Sequence, residues 1–116
     1  MKTAWALISK FIITLLAVAI SFGLIIENPF TWIITLAILA TAVNYVLGDL
    51  VVLPKFGNIS ASIGDGLLGV LLAYLMDLGV PAFNTNSTSL IALFLLIAVA
   101  EYLFHQYLLR DEKVAP

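Results

Sequence analysis

Five side chains scattered through an otherwise apolar sequence are the ones equipped for chemistry: Lys10, Asp49, Asp65, Glu101 and His105. Brought together, three carboxylates outweigh one ammonium. Such a cluster must hold a proton, recruit Lys55 or a charged His105, or admit water or a cation. The functional reading is therefore a proton or cation site. The architectural reading is that Asp49 and Asp65 bond to Lys10, Lys55, Asn44 or the amides around Asn58, locking helices together.

Other chemistries fit less well. Glu101 and His105 are four residues apart and so neighbours on a helix surface, which makes half of a metal site. A metal needs further ligands and a supporting shell, and bundled di-iron sites use a spacing of three, so no metal or cofactor is assigned. Ser60, Ser62 and Ser89 lie in no nucleophile motif, and Gly64-Asp-Gly66 lacks the strand-to-helix setting of a phosphate loop. No catalytic residue is assigned, and an enzyme is not expected. With no cysteine, thiolate chemistry and disulfides are excluded.

The medium that must position these residues is set by composition. Of 116 residues, 63% are hydrophobic and 10% charged, and the mean hydropathy is +1.15. A water-facing surface cannot be assembled from that supply, so the lipid bilayer is the expected solvent and first partner. A formal net charge of −2 argues against nucleic acid as a partner.

The expected architecture is all-α: one transmembrane domain over 1–116, a four-helix bundle running up-down-up-down, with spans at 4–26, 31–53, 59–80 and 88–109. A run of roughly 23 residues at about 1.5 Å each crosses a hydrocarbon core of about 30 Å. The first run stays apolar past Ala17-Val-Ala19 up to Glu27, so it reads as a retained span, not a cleaved secretory signal. Glu27-Asn-Pro-Phe30 makes the first turn. Pro54 ends the second span, Gly57 permits a positive φ, and Asn58 caps the third. Gly79 and Pro81 close the third span, and Thr88 or Ser89 caps the fourth. Lys2, Lys10, Lys55, Arg110 and Lys113 all fall on one side of this stack, which places both termini in the cytoplasm.

Helical spacing decides which faces are polar. Around Asp49, the residues Thr41, Asn44, Tyr45, Gly48 and Val52 share its face, with Ala42, Val43, Val46, Leu47 and Leu50 mostly opposite. A carboxylate in such a segment should face other helices and not lipid. Lys10, Thr14, Ala17 and Ser21 form a small-polar stripe on the first span. On the third, Ser62, Gly66, Gly69 and Ala73 make a face that lets helix backbones approach closely, and Gly48 offers the same on the second. Counted from the turn sides, Lys10, Asp49, Asp65, Glu101 and His105 gather in the cytoplasmic half. Asp77 and Glu27 sit near the opposite boundary.

The segment Gly48-Asp-Leu-Val-Val-Leu-Pro-Lys-Phe-Gly-Asn58, with Lys10-Phe11 before it and Asp65 after it, resembles the hallmark of the YndM-like family of small four-span bacterial membrane proteins, a domain of unknown function. That resemblance implies a multi-pass protein of the plasma membrane in spore-forming, Gram-positive-type bacteria. It brings no activity, and Asp49, Pro54, Lys55, Gly57 and Asn58 carry over only as motif positions. The expected function is a non-enzymatic structural or partner-docking module with a polar cluster in its cytoplasmic half. The alternative is a small proton- or cation-coupled transporter or channel using Asp49, Asp65 and Glu101. Four spans enclose little volume, so that alternative calls for a homo-oligomer; a second membrane protein is the other partner class.

Overall fold

Apolar runs with few breaking residues settle into helices, and the departures from regularity fall where prolines and glycines sit. The computed structural model describes residues 2–110, with side chains from 4 to 106. The chain forms α1 (Lys2–Ala19), a π-helical turn (Ile20–Leu24), α2 (Phe30–Val43), a longer π-helical segment (Asn44–Val52), α3 (Leu53–Gly79) and α4 (Ser87–Arg110). The described residues contain no strand. The residues beyond Arg110, with Lys113, lie outside those described.

Among the described residues, three stretches are long and apolar enough to cross a membrane: Ala4–Leu24, Phe30–Gly79 and Ser87–Gln106. Four were expected, and the two middle ones run into each other because helical hydrogen bonding does not stop at Pro54. Proline has no N–H to give, and its ring strikes the carbonyl four residues back. Here the backbone before it is widened, the Leu53 N–H reaching the Gly48 carbonyl five residues earlier. A wider turn spreads the carbonyls that the ring would otherwise meet.

The break comes instead at Gly57, where φ is 88° and ψ is 176°. Among the described residues only this glycine takes a positive φ, a region open to it because it has no Cβ. A straight helix over the 50 residues of Phe30–Gly79 would measure about 75 Å, whereas the longest dimension of the molecule is 42 Å. The stretch therefore doubles back, which brings Asp65 of α3 against Gly48 of the π-helical segment.

Small residues then set how closely α3 and α4 approach. A Cβ on Gly66 would lie 3.0 Å from the Phe94 carbonyl oxygen, and one on Gly69 would lie 2.6 Å from Ile97 Cδ1. Ser62 and Ala73 are buried on the same face. This small-residue face, expected to let helix backbones approach closely, is covered by the chain's own α4.

The end carrying the 25–29 and 81–86 loops is clasped by Asn28. Its Nδ2 donates to the carbonyls of Phe22 and Asn84, at 3.1 and 3.0 Å, and its Oδ1 accepts the Asn84 N–H at 2.7 Å. The Phe22 and Phe83 rings pack beneath at 5.2 Å. The cap of α4 is Asn86, two residues ahead of the expected Thr88 and three ahead of Ser89: its Oδ1 accepts the Ser89 N–H at 2.7 Å while Ser89 Oγ accepts the Asn86 N–H at 2.9 Å. That reciprocal pair satisfies two amides a helix start leaves open.

Two apolar cores lie along the axis. The larger, near the Asn28 end, contains Val18, Phe22, Leu36, Phe83, Leu93 and Ile97. The smaller contains Ala6, Leu53, Ala61 and Phe104. Each helical rod passes from one core to the other through a polar residue: Lys10 in α1, Asp49 before α3, Asp65 in α3, Glu101 in α4. Outside this axis, Ile12, Leu16, Leu67, Leu71, Ile91 and Leu95 are exposed, the arrangement expected where the surrounding medium is hydrocarbon.

Candidate functional site

Periodicity positions the charged residues before any long-range contact is considered. Ala40, Thr41, Asn44, Gly48, Asp49 and Leu53 are buried, in steps of four and five that track the wide helical turn, while Ala42, Val46, Leu47 and Leu50 are exposed. Asp49 therefore points into the protein. On α1 the buried stripe is Lys10, Thr14, Ala17 and Ser21, and on α4 it is Leu93, Ile97, Glu101, Phe104 and His105.

These faces converge on one cluster. Lys10 Nζ donates to Glu101 Oε1 at 2.6 Å and lies 3.3 Å from Asp49 Oδ2 and 3.8 Å from Asp65 Oδ2. His105 Nε2 lies 2.7 Å from Asp49 Oδ1, 3.2 Å from Asp65 Oδ2 and 3.6 Å from Glu101 Oε1. All five residues are at most 1% exposed. The Lys10 ammonium also sits 5.4 Å from the centre of the Phe104 ring, a distance at which a cation is attracted to the ring face.

A second layer fixes the imidazole. Asn58 Nδ2 donates to the Tyr102 carbonyl at 2.9 Å, which turns Asn58 Oδ1 toward the cluster. That oxygen accepts from Ser62 Oγ at 3.0 Å and lies 2.9 Å from His105 Nδ1. A carbonyl oxygen can only accept, so Nδ1 carries a proton; Nε2, 2.7 Å from Asp49 Oδ1, faces a second acceptor and carries a proton too unless a cation takes its place. Asn58, expected to cap the helix after the turn, serves the imidazole instead. Asn44 Nδ2 donates to the Asp65 carbonyl at 3.5 Å, tying the π-helical segment to α3.

Of the residues singled out in the sequence, Lys10, Asn44, Asp49, Asn58, Asp65, Glu101 and His105 meet, with Gly48 and Ser62 against them. Lys55 does not: it is exposed, on the far side of the Leu53 core. Asp77 is taken up at the other end, where Oδ2 accepts from the Thr85 N–H and hydroxyl at 3.0 and 2.6 Å. The Ser62 and Asn58 support for His105 was not read from the sequence, although Asn58 and Ser62 stand four apart and thus on one helix face.

Charge and hydrogen bonding do not balance inside the cluster. Both Asp65 carboxylate oxygens, Asp49 Oδ2 and Glu101 Oε2 are buried without a hydrogen-bond donor. Oxygens without a donor in a dry interior carry a desolvation cost, offset at Asp49 Oδ2 and Asp65 Oδ2 by the Lys10 ammonium at 3.3 and 3.8 Å. One ligand atom from each of Asp49, Asp65, Glu101 and His105 lies within 4.8 Å of the others, so the partners that the Glu101–His105 pair lacked in sequence are supplied by the fold.

The chain as a whole has relatives among known proteins. Residues 1–114 match a family described as protein of unknown function (DUF2512). The uncharacterized membrane protein YndM of Bacillus subtilis (strain 168) is 33% identical over 113 residues, 96% of this chain and 63% of that relative. The chain thus spans less than two thirds of the relative's length. No solved structure matches the chain.

Proposed function

We propose, from the premise that the chain belongs to the DUF2512 family, that it is a non-enzymatic structural module of the bacterial plasma membrane, held in one shape by a buried ionic lock. The observation that carries this reading is that every helical rod sends an ionisable side chain into one cluster closed to solvent. A membrane protein gains nothing from burying apolar against apolar when lipid is equally apolar, so polar contacts and close packing must specify which helices meet. Lys10, Asp49, Asp65, Glu101 and His105 meet that need, and the fixed outer surface is then available to a membrane partner.

Four spans with both termini in the cytoplasm fit this reading. Phe30–Gly79 has length for two spans joined at Gly57, and Lys10 and Lys55 fall on the same side of the resulting stack. The B. subtilis relative, named a membrane protein, supports the plasma membrane as the compartment.

Transport is the second reading, favoured by the surplus of carboxylates over cations. The two separate in reconstituted vesicles. Under the lock, wild-type vesicles move neither protons nor metal ions, and Asp49→Asn lowers the unfolding temperature. Flux in the wild type that Asp49→Asn abolishes at unchanged stability would overturn the lock in favour of a cation-coupled carrier.

A further inference from the structure

The geometry points to a binding site for one divalent cation of the Mn2+, Fe2+ or Zn2+ class, formed by Asp49, Asp65, Glu101 and His105 at the centre of the ionic lock. The inference rests on the lock reading and names what completes it. Two observations independent of the acidic count converge on it, and the charge balance agrees.

The first is the imidazole. A histidine that ligates a metal donates its other ring N–H to an oxygen acceptor, which fixes tautomer and orientation. His105 has that arrangement: Nδ1 faces Asn58 Oδ1 at 2.9 Å, Asn58 is itself held by Tyr102 and Ser62, and Nε2 faces three carboxylates. The same acceptor holds the ring whether Nε2 carries a proton or a metal, so the site is ready for a cation without rebuilding.

The second is the set of oxygens left without donors. Asp65 is 1% exposed, is turned to within 3.2 Å of His105 Nε2, and has no hydrogen-bond donor on either oxygen. Glu101 Oε2 and Asp49 Oδ2 share that state. Lys10, with three protons, already spends its shortest contact on Glu101 Oε1.

Charge then agrees. Once a metal takes the His105 Nε2 lone pair in place of a proton, three carboxylates and the Lys10 ammonium leave the buried centre two negative charges in excess, which one divalent cation removes. The donor atoms lie within 4.8 Å of one another, and a tetrahedral ion with bonds of about 2.1 Å needs them about 3.4 Å apart, so side-chain rotations suffice. One nitrogen and three carboxylate oxygens suit Mn2+, Fe2+ or Zn2+, and the absence of thiolates disfavours soft ions. Lys10 stays alongside, paired to Glu101 and resting against Phe104.

The test uses the full chain in detergent, without a polyhistidine tag. Mn2+ alone is titrated in, free ion being followed by its room-temperature EPR signal, with Zn2+ alone followed by calorimetry. The expected result is one site per chain, weakened at least tenfold in Asp65→Asn and in Asn58→Leu, which keeps all four ligands, and unchanged in Lys55→Gln. Nitrogen coupling to bound Mn2+ should vanish in His105→Phe. No saturable binding by a folded wild-type chain up to 1 mM, or equal binding in Asp65→Asn, overturns the site. The lock is judged separately, by melting temperature. Failure to bind alongside a lower melting temperature in Asp49→Asn removes the metal and leaves the lock; binding by the wild type alongside an unchanged melting temperature in metal-free Asp49→Asn keeps the metal and removes the lock.

Discussion

Gly48 and Asp65 meet with nothing between them: a methyl group on Gly48 would run into the Asp65 carboxylate. Alanine is the better helix former by about 1 kcal/mol, so propensity alone favours Gly48→Ala. Overpacking a filled interior costs about 1–3 kcal/mol, and here the displaced group is a carboxylate already committed to the cluster. The net expectation is a lower melting temperature in detergent micelles. Gly64→Ala, which meets nothing within 4 Å, is the matched control and should melt at or above the wild type.

Lys10 and Glu101 form the shortest contact Lys10 makes in the cluster, 2.6 Å with both side chains at most 1% exposed. Lys10→Met leaves three carboxylates facing His105 alone, and stranding one partner of a buried pair costs about 3–5 kcal/mol. The double variant Lys10→Met/Glu101→Gln removes a charge from each side and should recover about 1–3 kcal/mol of that loss. Unfolding by SDS titration of the four members of the cycle measures the coupling. Simple additivity would show that the pair contributes nothing of its own.

The chain contains no cysteine, so single cysteines report topology without a background. Ala82 and Lys55 are both exposed, in the 81–86 loop and beside Gly57 respectively. With four spans, Ala82→Cys reacts with a membrane-impermeant maleimide added to intact cells, and Lys55→Cys reacts only after permeabilisation. Labelling of both from the same side of the membrane would show that Phe30–Gly79 does not contain two spans.

Helical faces were legible in the sequence, and their pairing was not. The spacing of Thr41, Asn44, Gly48 and Asp49, and of Lys10, Thr14, Ala17 and Ser21, marks the inward side of each rod because burial follows the helical period whatever the partner is. Which inward sides meet depends on loops and on how near small residues let backbones come, so the direct Lys10–Glu101 contact across 91 positions has no local signature. Pro54 was misleading for a physical reason. Proline forbids a hydrogen bond and a close carbonyl, not a helix, and a backbone that widens beforehand carries on to Gly57. Asn58 illustrates the same limit: asparagine after a turn suits a cap, but its amide is worth more against a buried imidazole than against an amide that water can reach.

The polar layer lies between two apolar plugs of unequal size, the smaller being Ala6, Leu53, Ala61 and Phe104. An ion or proton held at the centre therefore exchanges with its surroundings only when one of the plugs loosens. Such an occupant leaves at the tempo of local unpacking and not of diffusion.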